Sequence, residues 1–200
     1  LLIKAGAEVN IKDERHKTEL HYAAGKGNTR MVQLLIDKYI QDNTKEKVKT
    51  FLDAEDNIER TALNYAAQQQ QWEVVQQLID KGADVNNKGF KERTALMYAA
   101  GWKGEELDKL LALDKLLAQD KLLGQPAIDL EAVDRNKDTA LVFAVLTNNS
   151  VIVQKLIEAG ADKNSAQRYI DKTYMDKDSI EPDTRNAFNN TTPLEPSVPG

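Results

Sequence analysis

Thr61-Ala-Leu-Asn-Tyr-Ala-Ala67 is one of four versions of the same heptapeptide in this chain. The other versions are Thr18-Glu-Leu-His-Tyr-Ala-Ala24, Thr94-Ala-Leu-Met-Tyr-Ala-Ala100 and Thr139-Ala-Leu-Val-Phe-Ala-Val145. Thr61 and Thr94 are 33 residues apart. Repetition at a period of roughly 20–50 residues indicates an array of stacked units, in which each unit covers the apolar face of its neighbour.

The unit from Asp56 to Lys88 shows how each copy is expected to fold. The hydroxyl of Thr61 can accept a hydrogen bond from an unpaired N–H group at the start of a first helix. A second helix is predicted from about Trp72 to Asp80, because apolar residues recur three and four positions apart along it. Gly82 ends this helix, since glycine tolerates the left-handed conformation of a helix C-terminus. The equivalent glycines are Gly6 and Gly160.

The heptapeptides resemble the Thr-Pro-Leu-His-x-Ala signature of ankyrin repeats, whose period is about 33 residues. The resemblance implies an all-α ankyrin-repeat solenoid of helix-turn-helix units with extended turn fingers. It divides the chain into an array, residues 1–164, and a divergent C-terminal cap with a proline-containing tail, residues 165–200. The expected units are a partial one at 1–12 and four at 13–55, 56–88, 89–133 and 134–166. Residues 1–10 match the end of a unit and no initiator Met precedes them, so we expect a fragment that lacks at least one upstream helix.

Departures from the signature predict a less stable array than an idealised one. Its proline is replaced in every copy, and only His21 keeps its histidine. The glycine that the family carries two residues before the threonine is replaced by His16, Glu59, Glu92 and Lys137. Each lost turn glycine or side-chain hydrogen bond is expected to cost about 1 kcal/mol.

A first insertion lies between Thr18 and Thr61, which are 43 residues apart. The excess falls in the polar, lysine-rich stretch 39–49. This composition favours a solvated loop or a lengthened helix end. A specificity insertion is the alternative, because insertions in repeat arrays often crowd one face.

A second insertion lies between Thr94 and Thr139, which are 45 residues apart. It contains three related hexamers, which begin at Asp108, Asp114 and Asp120. Six residues turn a helix by about 240° net, so one buried face cannot take all the leucines. Either the leucines cover a neighbouring repeat or the other insertion, or they stand exposed for a partner. Self-association through Leu113, Leu116 and Leu117 is a further outcome, which we do not favour.

By resemblance, a partner would contact the turn tips and the exposed sides of the first helices. The residue just before the threonine is basic in three consecutive units of this acidic chain. The candidate binding residues are Arg15, Lys17, Ile58, Arg60, Gln68, Gln69, Phe90, Lys91, Arg93 and Trp102. Arginine and aromatic side chains are typical of interaction hot spots, so one hypothesis is an acidic, partly apolar partner segment. That segment would cross Arg60, Phe90, Arg93 and Trp102.

The competing interpretation of this surface is a solvated rim in which acidic neighbours neutralise the bases. Exposed ion pairs of that kind contribute little. The acidic neighbours are Glu14, Glu59 and Glu92.

Composition narrows the classes of function. The formal charge is −5, from 27 basic and 32 acidic residues, which argues against nucleic acid or an anionic membrane as the partner. No run in the sequence approaches the roughly 20 apolar residues that span a bilayer. Cysteine is absent, which excludes disulfides and thiolate metal sites and suits a reducing cytosol. His16 and His21 are the only histidines, and no catalytic motif accompanies them, so no catalytic, cofactor-binding or metal-binding residue is assigned.

The sequence therefore predicts a non-catalytic protein–protein interaction module without a cofactor, located in the cytoplasm. The alternative is the substrate-recruiting or targeting arm of a larger enzyme or secreted effector, which would act in the cytoplasm of a host cell. A catalytic motif outside these residues would distinguish the two.

Three expectations concern packing. Trp72 begins the second helix of its unit, where a core role is favoured over a binding role. Residues 165–178 are predicted to form one more helix that covers the last exposed face, with Tyr169, Ile170, Tyr174 and Met175. The stretch from Pro182 onward holds four of the five prolines and is predicted to run as an extended tail along the array.

Overall fold

The computed structural model describes residues 8–102, 128–172 and 180–193, and the regular structure in these ranges is helical. The helices are α1 (Glu19–Gly25), α2 (Thr29–Asp42), α3 (Lys45–Leu52), α4 (Ala62–Gln68), α5 (Trp72–Asp80), α6 (Ala95–Gly101), α7 (Ala140–Leu146), α8 (Ser150–Glu158), α9 (Lys163–Lys172) and α10 (Pro182–Asn190). A short 3₁₀ turn, Phe90–Glu92, lies between α5 and α6. None of the helices in these ranges is long and apolar enough to cross a membrane.

The described residues form two compact units, which divide within α6 between Ala99 and Ala100. In the first unit the short first helices α1 and α4 pack together, and the second helices α2 and α5 pack together. The alanine pairs of α1 and α4 are buried, which is what allows two short helices to approach closely. The core beneath them is aliphatic, and burial of each such side chain stabilises the fold by about 1.5–3 kcal/mol. Its members include Leu20, Leu35, Ile36, Leu63, Val74, Val75, Leu78 and Ile79.

The second unit contains one more helix pair of the same kind, on which two further helices pack. Helix α7 packs on α8, α9 packs on α7, and α10 packs on α8. The buried side chains of α8 recur at helical spacing, so they form one apolar face. They are Ile152, Val153, Leu156 and Ile157.

The helix ends follow the sequence prediction closely. Helix α5 spans Trp72–Asp80, and the side chain of Trp72 is buried as its position favours. The hydroxyl of Thr61 accepts a hydrogen bond from the Asn64 N–H at 3.3 Å. Gly82 has a φ of 92° just beyond α5, which is the left-handed conformation that glycine was expected to supply. Gly160 is alike, with a φ of 102°, and Gly6 lies outside the described residues.

The tip of each finger is the turn just before the threonine of the heptapeptide. These finger tips show why the family places glycine two residues before the threonine. The φ angles there are 58° at His16, 65° at Glu59, 60° at Glu92 and 69° at Lys137. All four are left-handed, a conformation that costs an L-residue with a side chain about 1–2 kcal/mol. The expected strain at these four positions is therefore present in the backbone.

The first insertion extends one helix and adds another. Helix α2 continues to Asp42, which confirms a lengthened helix end, and α3 follows after two residues. The sequence did not predict α3, which is held by packing: the ring of Phe51 is buried and stacks on Tyr39, with centroids 4.2 Å apart. Leu52, at the end of α3, is also buried.

The C-terminal segment differs from the prediction. The stretch from Pro182 was expected to be an extended tail, but Pro182–Asn190 is helix α10. Proline is favoured in the first turn of a helix, because the N–H that it lacks has no partner there. Thr184 and Phe188, four residues apart, are buried on one side of α10, and this contact stabilises a helix whose sequence is otherwise polar.

Several expectations fall on residues that are not described. The hexamers and their leucines, including Leu113, Leu116 and Leu117, lie outside the described ranges. So do Tyr174 and Met175. The extra helix was predicted to begin at Ser165, and α9 begins at Lys163, while the side chains of Tyr169 and Ile170 also lie outside the described part of the chain.

Candidate partner-binding surface

An aspartate five residues before the threonine builds three of the finger tips. One carboxylate oxygen of Asp56 accepts hydrogen bonds from the backbone N–H groups of Ile58 and Arg60, at 3.0 and 2.9 Å. Asp13 does the same for Arg15 and Lys17, at 2.9 Å each. Asp134 does so for Asn136 and Asp138, at 2.7 and 3.2 Å. The tips are thus closed by side-chain hydrogen bonds that partly compensate for the missing glycines.

The third tip is built differently, because Gly89 replaces the aspartate. Its N–H still donates to the Arg93 carbonyl at 2.9 Å, as the aspartates do in the other tips. A Cβ at this position would lie 2.8 Å from Oδ1 of Asn64 and 3.1 Å from Cγ of Arg60. The third tip therefore approaches the second repeat too closely for a side chain, and it folds as the 3₁₀ turn that carries Phe90.

Arg60 is held by a network on the second repeat. Its Nε and Nη2 atoms lie 3.2 and 3.0 Å from Oδ2 of Asp56, which also accepts a hydrogen bond from the Tyr65 hydroxyl at 2.7 Å. The guanidinium lies over the Tyr65 ring, 4.1 Å from its centroid, and Nη2 contacts the hydroxyl. The Arg60 side chain is 17% exposed and that of Asp56 is fully buried. The carboxylate partner of Arg60 is thus Asp56, not the neighbouring Glu59 of the solvated-rim interpretation.

Burial and the hydrogen bonds of this network shift the pKa values of Asp56 and Tyr65. Burial raises the pKa of Asp56, but hydrogen bonds from the Arg60 backbone, Tyr65 and the Arg60 side chain outweigh it, so the pKa lies below its usual value. Burial, together with the hydrogen bond to Asp56, raises the pKa of the Tyr65 hydroxyl. Asp56 is therefore an anion and Tyr65 a neutral donor at neutral pH.

Lys17 joins the first repeat to the same tyrosine. Its ammonium lies 4.7 Å from the ring centroid of Tyr65 and 5.3 Å from that of Tyr22. Tyr22 in turn donates a hydrogen bond to Asp13 at 2.5 Å, which lowers the pKa of that carboxyl. Two tyrosine rings and two cations thus follow one another along this face of the first unit, and contacts of this kind stabilise a cation by roughly 0.5–1 kcal/mol at exposed sites.

Buried polar side chains fix the spacing of successive fingers. Nδ1 of His21 accepts the Thr18 N–H at 3.0 Å, and Nε2 donates to the Arg60 carbonyl of the next finger at 3.0 Å. Asn64 makes a similar bridge one repeat later: its Oδ1 accepts the Thr61 N–H at 3.0 Å, and its Nδ2 donates to the Asn87 carbonyl at 3.2 Å. Burial lowers the pKa of His21, so the neutral ring that makes these bonds is the favoured form. His21 serves the backbone, as its place in the heptapeptide implied.

Comparison with known proteins identifies the family. A family model described as ankyrin repeats (3 copies) matches residues 1–89 and 40–121, which together exceed half of the chain. The chain belongs to the ankyrin repeat family. Ankyrin repeats are generally protein–protein interaction modules, and the family is typically non-catalytic.

A curated relative supports the same assignment over a short stretch. The putative ankyrin repeat protein FPV244 of Fowlpox virus (strain NVSL) is 53% identical over 36 residues, which are 18% of this chain. The chain spans 5% of the length of that relative. The similarity therefore concerns about one ankyrin unit.

The predicted binding residues divide between the two units of this ankyrin protein. Trp102 is exposed and belongs to the second unit, whereas the other nine lie in the first. Arg15, Ile58, Gln69, Phe90 and Lys91 are exposed. Lys17, Arg60, Gln68 and Arg93 are partly buried. The structure brings Lys17 and Arg60 together over Tyr65, and it places the Gln68 side chain 3.5 Å from the Arg60 guanidinium.

Exposed apolar side chains lie on the fingers and first helices of each unit. The described residues include eight large, exposed apolar side chains, and six of them lie on fingers or at first helices. In the first unit these are Ile11, Tyr22, Ile58 and Phe90; in the second they are Trp102 and Leu146. Ile58 is 39% exposed and Phe90 is 42% exposed, each at the tip of its finger. The remaining two, Leu34 and Ile40, lie on α2.

Two residues of this surface were missed from the sequence, Asp56 and Tyr65. The signal was available, because an aspartate five before and a tyrosine four after the threonine recur in the first two repeats. The third repeat has lost the aspartate and the fourth has Phe143 for the tyrosine, so the pair is complete only in the first unit. Across residues 8–102, 128–172 and 180–193, no group of three or more His, Cys, Asp or Glu side chains could hold a metal ion.

Proposed function

We propose that this chain is a non-catalytic protein-binding module that holds an acidic, partly apolar segment of a partner against the finger tips and first helices of its first unit. The observation that carries the proposal is that four of the six large, exposed apolar side chains described in the first unit lie on its fingers or first helices, namely Ile11, Tyr22, Ile58 and Phe90. Aromatic and arginine anchors inside a polar rim are the usual composition of an interaction hot spot.

Positive charge on this surface is already held in place. Lys17 lies over two tyrosine rings, and Arg60 is fixed by Asp56 and Tyr65. A side chain that is ordered before binding loses less conformational entropy when a partner docks. The Lys17 ammonium has three N–H donors, so a partner carboxylate can bind it while the rings remain in contact.

Arg60 is a poor residue to change in a test, because its loss leaves Asp56 buried without its cation. Ile58, Phe90 and Lys17 are better choices. Ile58 and Phe90 project from the tips and are exposed, so their replacement removes partner contacts with little effect on the fold. Leu34, which is exposed on α2, provides a matched control for an apolar side chain outside the surface.

The test is photocrosslinking from defined positions. The photoreactive residue p-benzoylphenylalanine is placed at Ile58, at Phe90 or, as the control, at Leu34, and crosslinked segments from a cell lysate are sequenced by mass spectrometry. The expected result is a partner segment with acidic residues beside apolar ones, captured from positions 58 and 90 and not from 34. Lys17→Glu is expected to weaken its capture about threefold to tenfold, since a like charge then faces the carboxylate.

Two results would overturn the proposal. One is equal capture from all three positions, which would indicate non-specific contact. The other is capture of the same segment at full yield by the Lys17→Glu protein, which would exclude an acidic segment at this site. Circular dichroism melts of each variant verify that the fold is retained.

A further inference from the structure

A groove lies between the second helices of the first unit and the helix that the first insertion adds. It has a volume of about 460 Å³ and is formed by the last turn of α2, by α3 and by the C-terminal end of α5. All three elements belong to the first unit. The volume falls in the range of about 300–1,000 Å³ that is typical of small binding sites.

The walls of the groove are apolar and firmly placed. Ile40 contributes from α2, and Val48 and Leu52 contribute from α3, where they stand one turn apart. Helix α3 cannot easily turn this face away, because Phe51, about 60° around the helix from Val48, is buried against Tyr39. Ile40 remains exposed, although a second helix in a repeat array normally buries its apolar side chains in the stack.

The rim formed by α3 carries two lysines, one of which is already paired with carboxylates. Lys45 and Lys49 line the groove and stand one helical turn apart. Nζ of Lys49 lies 3.1 Å from Asp53 and 3.9 Å from Asp84. The Lys49 side chain is 51% exposed and those of Asp53 and Asp84 are 15% and 25% exposed, so one cation is shared by two carboxylates.

The opposite rim is mixed in charge. It is the end of α5, where Asp80 and Lys81 line the groove. Lys81 pairs with Asp37 at 3.7 Å. Of the described lining residues, Asp80 is the one carboxylate against three lysines. An occupant would therefore meet an apolar floor beside Lys45, the lining lysine that forms no ion pair with the described residues.

We propose that this groove binds a short peptide segment of a partner in which an aliphatic side chain is flanked by Asp or Glu. The aliphatic side chain enters between Ile40 and Val48, and a carboxylate of the segment lies against Lys45. The inference is independent of the finger-tip surface, because it uses second helices and an insertion that the 33-residue repeat does not require. The insertion thus adds a second docking site to an ankyrin scaffold.

The experiment selects the occupant from a random library. A library of 12-residue peptides displayed on phage is selected against the intact chain, and enriched peptides are synthesised and titrated by fluorescence anisotropy. Each is tested against the unaltered chain, Val48→Asp, Lys45→Glu and Lys47→Glu. Lys47 is exposed on the same helix but does not line the groove, so its variant makes the same change of charge as Lys45→Glu.

The expected result is a class of enriched peptides whose affinity falls at least tenfold with Val48→Asp and about threefold with Lys45→Glu, and is unchanged with Lys47→Glu. Members of this class carry Asp or Glu next to Leu, Ile or Val. Ile58→Asp at the finger tips leaves their affinity unchanged, which separates this site from the proposed partner surface.

Three results would overturn the inference. The first is that no enriched peptide depends on Val48. The second is that Val48-dependent peptides carry no excess of Asp or Glu, or respond equally to Lys45→Glu and Lys47→Glu. The third is that the chain dimerises and Val48→Asp abolishes the dimer, which would assign the groove to a second copy.

Discussion

Four residues that stand two positions before a heptapeptide threonine adopt a left-handed backbone without being glycine, and each carries a local cost. Glu59 is the cleanest example, because its side chain is exposed and its φ is 65°. Glycine removes the steric cost of about 1–2 kcal/mol. It also gives the unfolded chain more conformational freedom, which lowers the stability of the folded protein by about 0.5–1 kcal/mol. We expect Glu59→Gly to raise the free energy of unfolding by about 0.5–1 kcal/mol, measured by urea denaturation.

Asn57 supplies the control in the same finger. It is exposed and does not have a positive φ, so Asn57→Gly gains only freedom in the unfolded chain. That variant is expected to lose about 0.5–1 kcal/mol. Equal effects of the two glycines would contradict the assignment of strain to position 59.

His21 makes stability depend on pH. Burial lowers its pKa below the ordinary 6.5, although the Arg60 carbonyl and the charge of Asp56 act in the opposite direction. The folded protein therefore binds this proton less tightly than the unfolded chain does. Its contribution to stability is complete above about pH 6.5 and is lost as the pH falls through the lower folded pKa.

The chain itself contains the matched substitution for His21. Asn64 makes a similar pair of hydrogen bonds one repeat later, to its own threonine N–H and to a carbonyl of the next finger, and it does not titrate. We expect His21→Asn to remain folded and to lose less stability than the unaltered chain between pH 8 and pH 5.5, measured by urea denaturation at each pH. If both proteins lose stability equally over this range, His21 is not the titrating group.

We expect the stability of helix α10 to come from its packing rather than from its own sequence. Its sequence is polar, but Phe188 is 2% exposed within the second unit, and the Lys163 ammonium lies 5.7 Å from its ring centroid. Phe188→Ala is expected to cost about 3 kcal/mol, because it leaves a cavity under the helix. Hydrogen exchange should show loss of protection in α10 first and in α8 next, since these two helices pack together.

Asn186 lies on the same helix and is exposed, so Asn186→Ala serves as the control. Alanine has the higher helix propensity, and this variant is expected to keep or slightly raise the stability. A loss of protection in α10 with Asn186→Ala that matched the loss with Phe188→Ala would show that the helix depends on its own sequence rather than on the contact of Phe188.

Local repetition explains which parts of this molecule were predictable. Thr61, the alanine pair that follows it and the apolar spacing of α5 act within one unit and recur in each, so the helix pairs and their ends could be derived from the sequence. Helices α3 and α10 could not, because Phe51 and Phe188 stabilise them through distant partners that carry no periodic signal. The finger tips were predicted as a binding surface from their sequence positions alone. The contacts of Arg60 with Asp56 and Tyr65 could not be predicted, because they depend on the directions of the side chains.

In an array of repeats, small local gains in the free energy of unfolding are expected to add, since each repeat contacts only its neighbours. Glu59 and Lys137 are strained in the same way, are both exposed and lie in different compact units. Effects at distant sites without common partners add to within about 0.5 kcal/mol. We therefore expect the Glu59→Gly, Lys137→Gly double variant to gain the sum of the two single gains, about 1–2 kcal/mol, with an unchanged slope against urea. A gain no larger than that of the better single variant would mean that one tip limits the stability of the whole chain.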